Sequence, residues 1–356
     1  MITKKLGKEL LKFIDKVENL VLIQPTEKIE TEDKKYSQVW SAYNEAQTSE
    51  KMMFINILQE LLSLLEVSYR KRKGHPNNDL HEMIFCCALK VYGGHSSRRT
   101  ISELALLQKH GYIEKVPHFN TLLHYFDDAS ITPILKKLIE YSAMPLKQFE
   151  EDFAVDASGF STSIFARWFD HKWGEQKDRR VWIKCHLISG VKTNIITGVE
   201  ITPSNLHDTS QFQPLVRQTN KNFEIREISA DKAYMSRKNL EFVSGIGAIP
   251  YIPFKSNTSA KGMKGQIWRK MFEIFILKRE EFLKHYHKRS NAESVFHMVK
   301  AKFGNSLKSK NGRGMANEIL FKVLCHNICV LIQEIHELGI EVNYCAENYP
   351  AQQVTI

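Results

Sequence analysis

The sequence predicts an α/β fold: a mixed five-stranded sheet flanked by helices and preceded by an all-α N-terminal region. Before about residue 150, apolar residues recur at helical spacing. After that point, short β-rich runs alternate with helical patterns in the order β-β-β-α-β-α-β-α. We therefore divide the 356 residues into helical regions at 1–75 and 76–147, a sheet domain at 148–338 and a tail at 339–356.

The N-terminal half contains several predicted helices. Helical patterns cover 1–24, 36–69 and 81–92, separated by polar stretches with Pro, Gly or Asn. Two shorter helices follow at 97–111 and 117–126, the second beginning at a proline that suits a first helical turn. This pair resembles a helix-turn-helix, although any all-α domain contains such pairs. If it is one, DNA contacts are expected from Arg98, Arg99, His118, Asn120 and Thr121.

The sheet domain is predicted from apolar, β-branched runs bounded by Asp, Gly, Ser or Asn. The three helical patterns of this domain cover 207–218, 236–244 and 268–303, the last in one piece or two. The five predicted strands cover 153–159, 181–188, 194–201, 225–231 and 248–254.

Composition favours a globular protein with a polyanionic partner. The chain is 43% hydrophobic with a net charge of +10. Residues 261–314 contain fourteen Lys or Arg against four Glu and no Asp, so this segment alone holds the whole excess. No apolar run approaches 18 residues and no signal peptide is visible, which predicts a cytoplasmic protein without a membrane span. The six cysteines lack C-x2-C pairs and are interpreted as reduced thiols.

Four residues of the last helical segment have a distinctive spacing: Tyr286, Arg289, Glu293 and Lys300. On a helix that advances about 100° per residue they fall within an arc of roughly 60°. An aromatic ring, two cations and a carboxylate would therefore line one stripe, while the opposite flank is apolar. Such a stripe places a metal ligand beside phosphate-binding groups.

Two aspartates complete a candidate catalytic site. Asp156 is predicted at the end of the first strand and Asp231 at the end of the fourth, and ligands of open α/β sheets gather at strand ends. A helix crossing that end would add Glu293. Three carboxylates suit hard divalent cations such as Mg²⁺ or Mn²⁺, and two such ions support phosphodiester chemistry. Each carboxylate taken alone is more typical of a turn, a cap or the surface.

With these residues in place, the chain resembles the DDE transposases of prokaryotic insertion sequences that have the Tyr-x2-Arg-x3-Glu-x6-Lys signature. The resemblance covers most of the chain. It rests on four segments: 138–146 before the sheet domain, 153–160 around the first aspartate, 229–236 around the second, and the signature at 286–300.

The resemblance implies an RNase H-like fold in which Asp156, Asp231 and Glu293 bind two Mg²⁺ ions, with Mn²⁺ as a substitute. Tyr286, Arg289 and Lys300 would contact phosphates near the cleaved end. The implied partners are double-stranded DNA, as terminal inverted repeats and target, and a second copy of the chain in a synaptic complex. The implied location is the cytoplasm, associated with the nucleoid. About 40 residues separate Phe254 from Glu293, too few for the large β-rich domain of some relatives.

Several other side chains have open roles. His297 lies on the Glu293 face and is a candidate DNA contact. Lys184 and His186 alternate on the second strand and would flank DNA, flank a carboxylate or lie on the surface. Asp208 would cap a helix or support the metals, and Tyr234 would pack or contact substrate. Trp168 and Trp173 are candidates for stacking on an unpaired base.

Three functions remain open on these residues. The first is cut-and-paste transposition, in which the protein cuts both ends of its element and joins the 3′-hydroxyls to target DNA. The second is sequence-specific DNA binding without catalysis, as in a decayed or domesticated copy. The third is an RNase H-like nuclease, which would cut without joining strands.

Overall fold

The structure, a computed structural model, describes residues 39–68, 78–162, 182–255, 258, 265–344 and 352–355. Residues Trp40–Ile356 form one compact unit, and Met1–Val39 are assigned to another, of which only Val39 is described. The helix predicted at 1–24 and the two tryptophans Trp168 and Trp173 lie outside the described residues. The five cysteines among the described residues are free thiols.

The N-terminal part of the large unit is helical, as predicted, and its helices begin at polar caps. Asp79 accepts a hydrogen bond from the Glu82 backbone nitrogen, and Ser96 accepts one from that of Arg99. The helices are α1 (Trp40–Ser63), α2 (Leu80–Tyr92), α3 (Ser97–Lys109), α4 (Phe119–Asp127) and α5 (Ile131–Ala143).

Two predicted helix boundaries in this part are wrong. Helix α1 ends at Ser63, and the chain continues as a short strand, β1 (Leu65–Ser68), where a helix was expected to residue 69. Strand β1 pairs in parallel with β8 (Gln352–Thr355), a strand within the predicted tail. Helix α4 begins at Phe119 rather than at the preceding proline, because the His118 imidazole accepts a hydrogen bond from the Asn120 backbone nitrogen and so acts as the cap.

The central sheet contains the five predicted strands and a sixth, short one. Strands β2, β3 and β4 form antiparallel neighbours, while β5 and β6 are added in parallel on the other side of β2, in the order β4-β3-β2-β5-β6. This mixed sheet confirms the predicted RNase H-like fold class. The strands are β2 (Asp152–Thr162), β3 (Trp182–Gly190), β4 (Ile196–Pro203), β5 (Glu227–Ala230), β6 (Ile249–Tyr251) and β7 (Ser306–Leu307), the last pairing with the end of β2.

Strand β2 is longer than the sequence pattern indicated. The prediction that Asp156 ends this strand is wrong, because β2 continues to Thr162. Antiparallel pairing with β3 extends as far as Ser161, and β7 adds parallel pairs at the final two residues. The partner strands thus hold the chain extended through Gly159, which has no side chain to favour a strand.

Helices connect and cover the sheet. Helix α6 lies over β3 and β4, and α10 lies over β2 and β3. The helical region predicted at 268–303, in one piece or two, is divided into three α-helices and one 3₁₀ turn. The elements are α6 (Thr209–Asn220), α7 (Arg237–Gly245), α8 (Gln266–Leu277), α9 (Arg279–Tyr286), the 3₁₀ turn His287–Arg289, α10 (Ser290–Phe303) and α11 (Gly312–Leu338).

Helix α11 is the central helix of the unit. It packs against α1, α2, α5 and α10, and its residues Leu324, Ile328 and Leu331 are fully buried. Its length and apolar composition would suit a membrane span, but 89% of its most apolar stretch is buried inside the fold. This burial is typical of a core helix in a globular protein. Lys322 on α11 donates hydrogen bonds to the carbonyls of Gly304 and Ser306, which fixes the turn before β7.

Candidate active site

The register of the sheet brings Asp156 and Asp231 together. Strands β2 and β5 run parallel and pair Val155 with Ala230, so the next residue of each strand is an aspartate. Neighbouring strands lie about 5 Å apart, which places the two carboxylates side by side. Strand β5 ends there: Asp231 starts a 3₁₀ turn, Lys232–Tyr234, and its side chain accepts a hydrogen bond from the Lys232 backbone nitrogen at 2.6 Å.

Arg289 lies between Glu293 and Asp156 and contacts both carboxylates. The guanidinium of Arg289 lies with Nη1 3.3 Å from Asp156 Oδ2 and Nη2 2.6 Å from Glu293 Oε1. The Asp156 side chain is 18% exposed, whereas that of Glu293 is 55% exposed and turned toward the guanidinium. The arginine therefore occupies the space between two carboxylates and neutralises part of their charge.

The pKa of Asp156 reflects these neighbours. Burial raises this pKa above its usual value, and the negative charges of Glu293 and Asp231 raise it further. A hydrogen bond from the Ala157 backbone nitrogen and the positive charge of Arg289 act in the opposite direction. All three carboxylates are thus within electrostatic reach of one another, an arrangement that a bound cation would stabilise.

The side chains of Asp156, Asp231 and Glu293 are of the chemical type that binds divalent cations. Carboxylate oxygens are the ligands that Mg²⁺ and Mn²⁺ prefer. In the described residues, however, no three His, Cys, Asp or Glu side chains are grouped closely enough to hold an ion. The Glu293 carboxylate is instead paired with Arg289.

Lys300 lies on α10 and contacts Ser158, which is two residues beyond Asp156 on the same face of β2. Its ammonium donates to Ser158 Oγ at 2.6 Å and lies 5.0 Å from the centre of the Phe160 ring. Burial lowers the pKa of Lys300 below its usual value. Tyr286 is partly buried against the core, and its ring lies 5.9 Å from the Arg289 guanidinium carbon. Arg289 thus contacts Asp156 directly, Lys300 contacts the same face of β2 at Ser158, and Tyr286 lies next to Arg289.

The prediction that the four signature residues lie on one continuous helix is wrong. Helix α9 ends at Tyr286, and the 3₁₀ turn His287–Arg289 precedes α10. The sequence contains no Gly or Pro at this point. The turn is instead held by tertiary contacts that local propensity does not encode: Lys288 bridges Asp152 and Glu227, and His285 pairs with Glu227 at 2.6 Å. Because a 3₁₀ turn advances about 120° per residue, it rotates Arg289 toward β2 relative to a continuous helix.

Asp208 does not cap α6 through its side chain, although it occupies the cap position. Its carboxylate pairs with Lys184 at 2.8 Å and lies 3.7 Å from His186 Nδ1. Lys184 therefore flanks a carboxylate, one of the alternatives left open by the sequence, and its predicted DNA contact stays a prediction. His297 is exposed on α10. Tyr234, for which the sequence left packing or substrate contact open, is buried, and its ring lies 5.8 Å from that of Phe212 on α6.

The helix-turn-helix-like pair presents an exposed polar surface. Arg98, Arg99, His118 and Asn120 are exposed, and the Arg98 guanidinium lies 4.6 Å from the Phe119 ring centre, which joins the starts of α3 and α4. The basic segment reaches this surface, because Lys308 Nζ donates to the His95 carbonyl at 3.2 Å. These contacts bring cations from distant parts of the sequence to one place.

Comparison with known proteins agrees with this geometry. The family model of the transposase DDE domain matches residues 147–328, which is half of the chain and includes both aspartates and the signature. The chain belongs to the DDE transposase family. A chain of Archaeoglobus fulgidus, named "Probable transposase for insertion sequence element ISA1214", is similar to this transposase, with 27% identity over 335 residues. The similarity covers 92% of the transposase and 96% of that relative. No solved structure matches.

This membership confirms the resemblance to transposases of insertion sequences and makes the protein a DNA transposase. Members of the family generally depend on a divalent metal and act on DNA. The individual roles of Asp156, Asp231, Glu293 and the signature residues remain predictions.

Proposed function

We propose that this transposase cuts DNA at the ends of its own element and joins the freed 3′-hydroxyls to target DNA. The observation that carries the proposal is the juxtaposition of Asp156 and Asp231 on paired strands, with Glu293 linked to Asp156 through Arg289. In this proposal the three carboxylates hold two Mg²⁺ ions, which activate the attacking water or hydroxyl and stabilise the leaving oxygen when bound. Mn²⁺ has the same ligand preference.

The cations beside the carboxylates hold the DNA backbone. Arg289 has a planar guanidinium suited to paired contacts with phosphate oxygens. Lys300 places a positive charge at Ser158, two residues beyond Asp156 on the same face of β2. The Tyr286 ring lies next to the Arg289 guanidinium and helps to hold it in position. His297 and Lys184 extend the same role as secondary contacts. These groups position the backbone, and sequence recognition belongs elsewhere.

Recognition of the terminal repeats is assigned to the α3–α4 pair. Its exposed side chains Arg98, Arg99, His118 and Asn120 are neutral or positive, and the basic segment adds Lys308 next to them. Such a surface matches the electrostatic footprint of a double-stranded DNA site. As the resemblance to DDE transposases implies, we expect a homodimer to hold the two ends in the synaptic complex. The proposed place of action is the bacterial or archaeal nucleoid.

Arg289 has two mutually exclusive roles in this scheme. In the free protein its guanidinium pairs with Asp156 and Glu293. A DNA phosphate competes for the same donors, and its arrival frees Glu293 to turn toward the two aspartates. Binding of DNA and binding of divalent cations are then positively coupled, and such coupling is reciprocal.

Replacement of Arg289 by alanine is expected to tighten Mn²⁺ binding in the absence of DNA by about tenfold, because Glu293 and Asp156 lose their competing cation. The variant should bind DNA ends more weakly than the wild type, and adding ends should no longer raise its affinity for Mn²⁺. Titration calorimetry of the metal-free protein measures both effects.

A matched control is Arg237→Ala. Arg237 pairs with Glu241 at the same four-residue spacing as Arg289 with Glu293, but on α7 and away from Asp156. This control should leave the Mn²⁺ affinity unchanged. Equal Mn²⁺ affinities for Arg289→Ala and wild type would show that the arginine does not restrain the ligands.

The proposed function is tested by incubating the transposase with paired element ends, Mg²⁺ and a supercoiled target plasmid. We expect ends cut at the element boundary and products in which those ends are joined to the plasmid. Cut ends without joined products would favour the nuclease, and bound but uncut ends would favour a DNA-binding protein. The joined product thus distinguishes the proposal from both alternatives.

A further inference from the structure

Asp231 lies just beyond the paired part of its strand, whereas Asp156 lies within a paired stretch. Asp156 is opposite Leu187 of β3, and pairing along β2 continues past it. The last β5 residue that pairs with β2 is Ala230, and pairing of β5 with β6 ends at Ser229. The ladders of the described strands therefore hold the backbone at Asp156 but stop before Asp231. The position of the Asp231 carboxylate depends instead on the turn that follows it.

This turn, Lys232–Tyr234, is bonded to Asp231 and to a buried side chain of α7. The Asp231 carboxylate accepts a hydrogen bond from the Lys232 backbone nitrogen at 2.6 Å, and the Asp231 carbonyl accepts one from the Tyr234 backbone nitrogen at 2.9 Å. Asn239 is 2% exposed, and its Nδ2 donates to the Tyr234 carbonyl at 2.8 Å. Because a buried carbonyl without a donor is costly, this bond ties the end of the turn to α7.

Helix α6 contacts the same turn and the same asparagine. Thr209 Oγ1, at the start of α6, donates to the Ala233 carbonyl at 2.6 Å. One helical turn later, Gln213 Nε2 lies 3.3 Å from Asn239 Oδ1. This contact occupies the amide oxygen of Asn239 and leaves its nitrogen to donate to the turn. Two consecutive carbonyls after Asp231 are thus held by side chains from two different helices.

We propose that Asn239, assisted by Thr209, positions the Asp231 carboxylate for metal binding by fixing the turn after β5. Asn239 acts through the backbone of that turn, so it is a positioning residue and not a metal ligand. Outer hydrogen-bonding groups of this kind, which orient the ligands of a metal, commonly change metal affinity by tenfold or more when they are removed. The inference rests on the proposed function, because that proposal assigns Asp231 to the metal site.

The test is Asn239→Leu, which keeps nearly the same size, adds no charge and removes the donor to Tyr234. We expect Mn²⁺ binding about tenfold weaker in titration calorimetry of the folded protein without DNA. Hydrogen exchange followed by mass spectrometry should be faster at residues 231–235 and unchanged elsewhere in the sheet. Gln108→Leu is the control: Gln108 Nε2 donates to the Glu114 carbonyl at the same 2.8 Å, in the turn after α3. It should leave the Mn²⁺ affinity and the exchange at residues 231–235 unchanged.

Three outcomes would overturn the proposal. The first is wild-type Mn²⁺ affinity in Asn239→Leu, even with faster exchange at the turn, because the turn would then move without affecting Asp231. The second is faster exchange throughout the chain, which would show general destabilisation. The third applies if Asn239→Leu does not fold: Thr209→Val, which loses the hydroxyl, would bind Mn²⁺ as tightly as Thr209→Ser, which keeps it. We expect Thr209→Val to bind more weakly and Thr209→Ser to match the wild type.

Asp231→Asn, measured beside these variants, separates this inference from the proposed function. Mn²⁺ affinity that is unchanged in Asp231→Asn would contradict the assignment of this aspartate to the metal site, and with it the proposed function. Affinity lost in Asp231→Asn but kept in Asn239→Leu would contradict only the role of Asn239.

Discussion

Replacement of Asp156 by asparagine is expected to abolish strand cleavage and leave binding to the element ends intact. The substitution keeps the size of the side chain, and its oxygen retains the hydrogen bond that Asp156 Oδ1 accepts from the Ala157 backbone nitrogen. It removes the charge that would hold the ions. Since a catalytic metal ion contributes several kcal/mol of transition-state stabilisation, the cleavage rate should fall by roughly 10³-fold or more.

The same variant should fold at least as well as the wild type. Burial and two neighbouring carboxylates raise the pKa of Asp156, which means that its charged form is disfavoured in the folded state. An uncharged asparagine avoids this penalty, so the melting temperature should be equal or higher. Asp79→Asn at the start of α2 is the control for cleavage and should cut at the wild-type rate. Cleavage that survives in Asp156→Asn would contradict the assignment of this residue to the site.

Replacement of Lys288 by methionine is expected to cause the largest loss of stability among the substitutions considered. The Lys288 ammonium lies 2.7 Å from Asp152 and also pairs with Glu227, whose side chain is only 6% exposed. Removing one partner of a partly buried pair leaves the remaining charges less well compensated, at a cost of about 2 kcal/mol in the free energy of unfolding, less than for a fully buried pair. Partial compensation comes from Arg226, which pairs with Asp152, and from His285, which pairs with Glu227.

Lys288→Met should also slow cleavage, because the 3₁₀ turn that carries Arg289 loses its anchor to β2 and β5. Urea denaturation measures the stability, and the paired-end assay measures the rate under conditions where the variant is folded. Lys278→Met is the matched control: Lys278 pairs with Glu281 at 3.2 Å, but both side chains are more than half exposed, so its loss should be nearly neutral. Similar effects for the two variants would show that the anchor has no special role.

Much of the fold follows from patterns within short stretches of sequence. Apolar, β-branched runs ending in turn residues identified five strands, and their alternation with helices indicated the mixed sheet. The proximity of Asp156 and Asp231 was predictable because each follows an apolar run and paired strands bring such positions together. In α11, Leu324, Ile328 and Leu331 recur at helical spacing, and all three are fully buried.

The remaining features depend on contacts between distant residues. Strand β2 continues past Asp156 because β3 and β7 pair with it, and neither pairing is visible in the run itself. The break in the signature at residues 287–289 arises from ion pairs with Asp152 and Glu227, more than 60 residues earlier in the chain. The Asp208 carboxylate forms an ion pair with Lys184 of β3 instead of capping its own helix. Propensity and spacing do not contain this information.

Helix α11 joins the helical part of the transposase to its sheet. Two of its residues that bind other elements, Asn317 and Asn327, are ten residues apart, a rise of about 15 Å along the helix. Near its start, Asn317 donates to the carbonyls of Phe126 and Asp128 at the end of α4, and further along Asn327 bonds to the backbone of Ile196 in the sheet. If α3 and α4 recognise DNA as proposed, this helix keeps the recognition surface at a fixed distance from the sheet that carries the carboxylates. The cut would then lie at a constant number of base pairs from the recognised sequence, because a continuous helix joins the two parts.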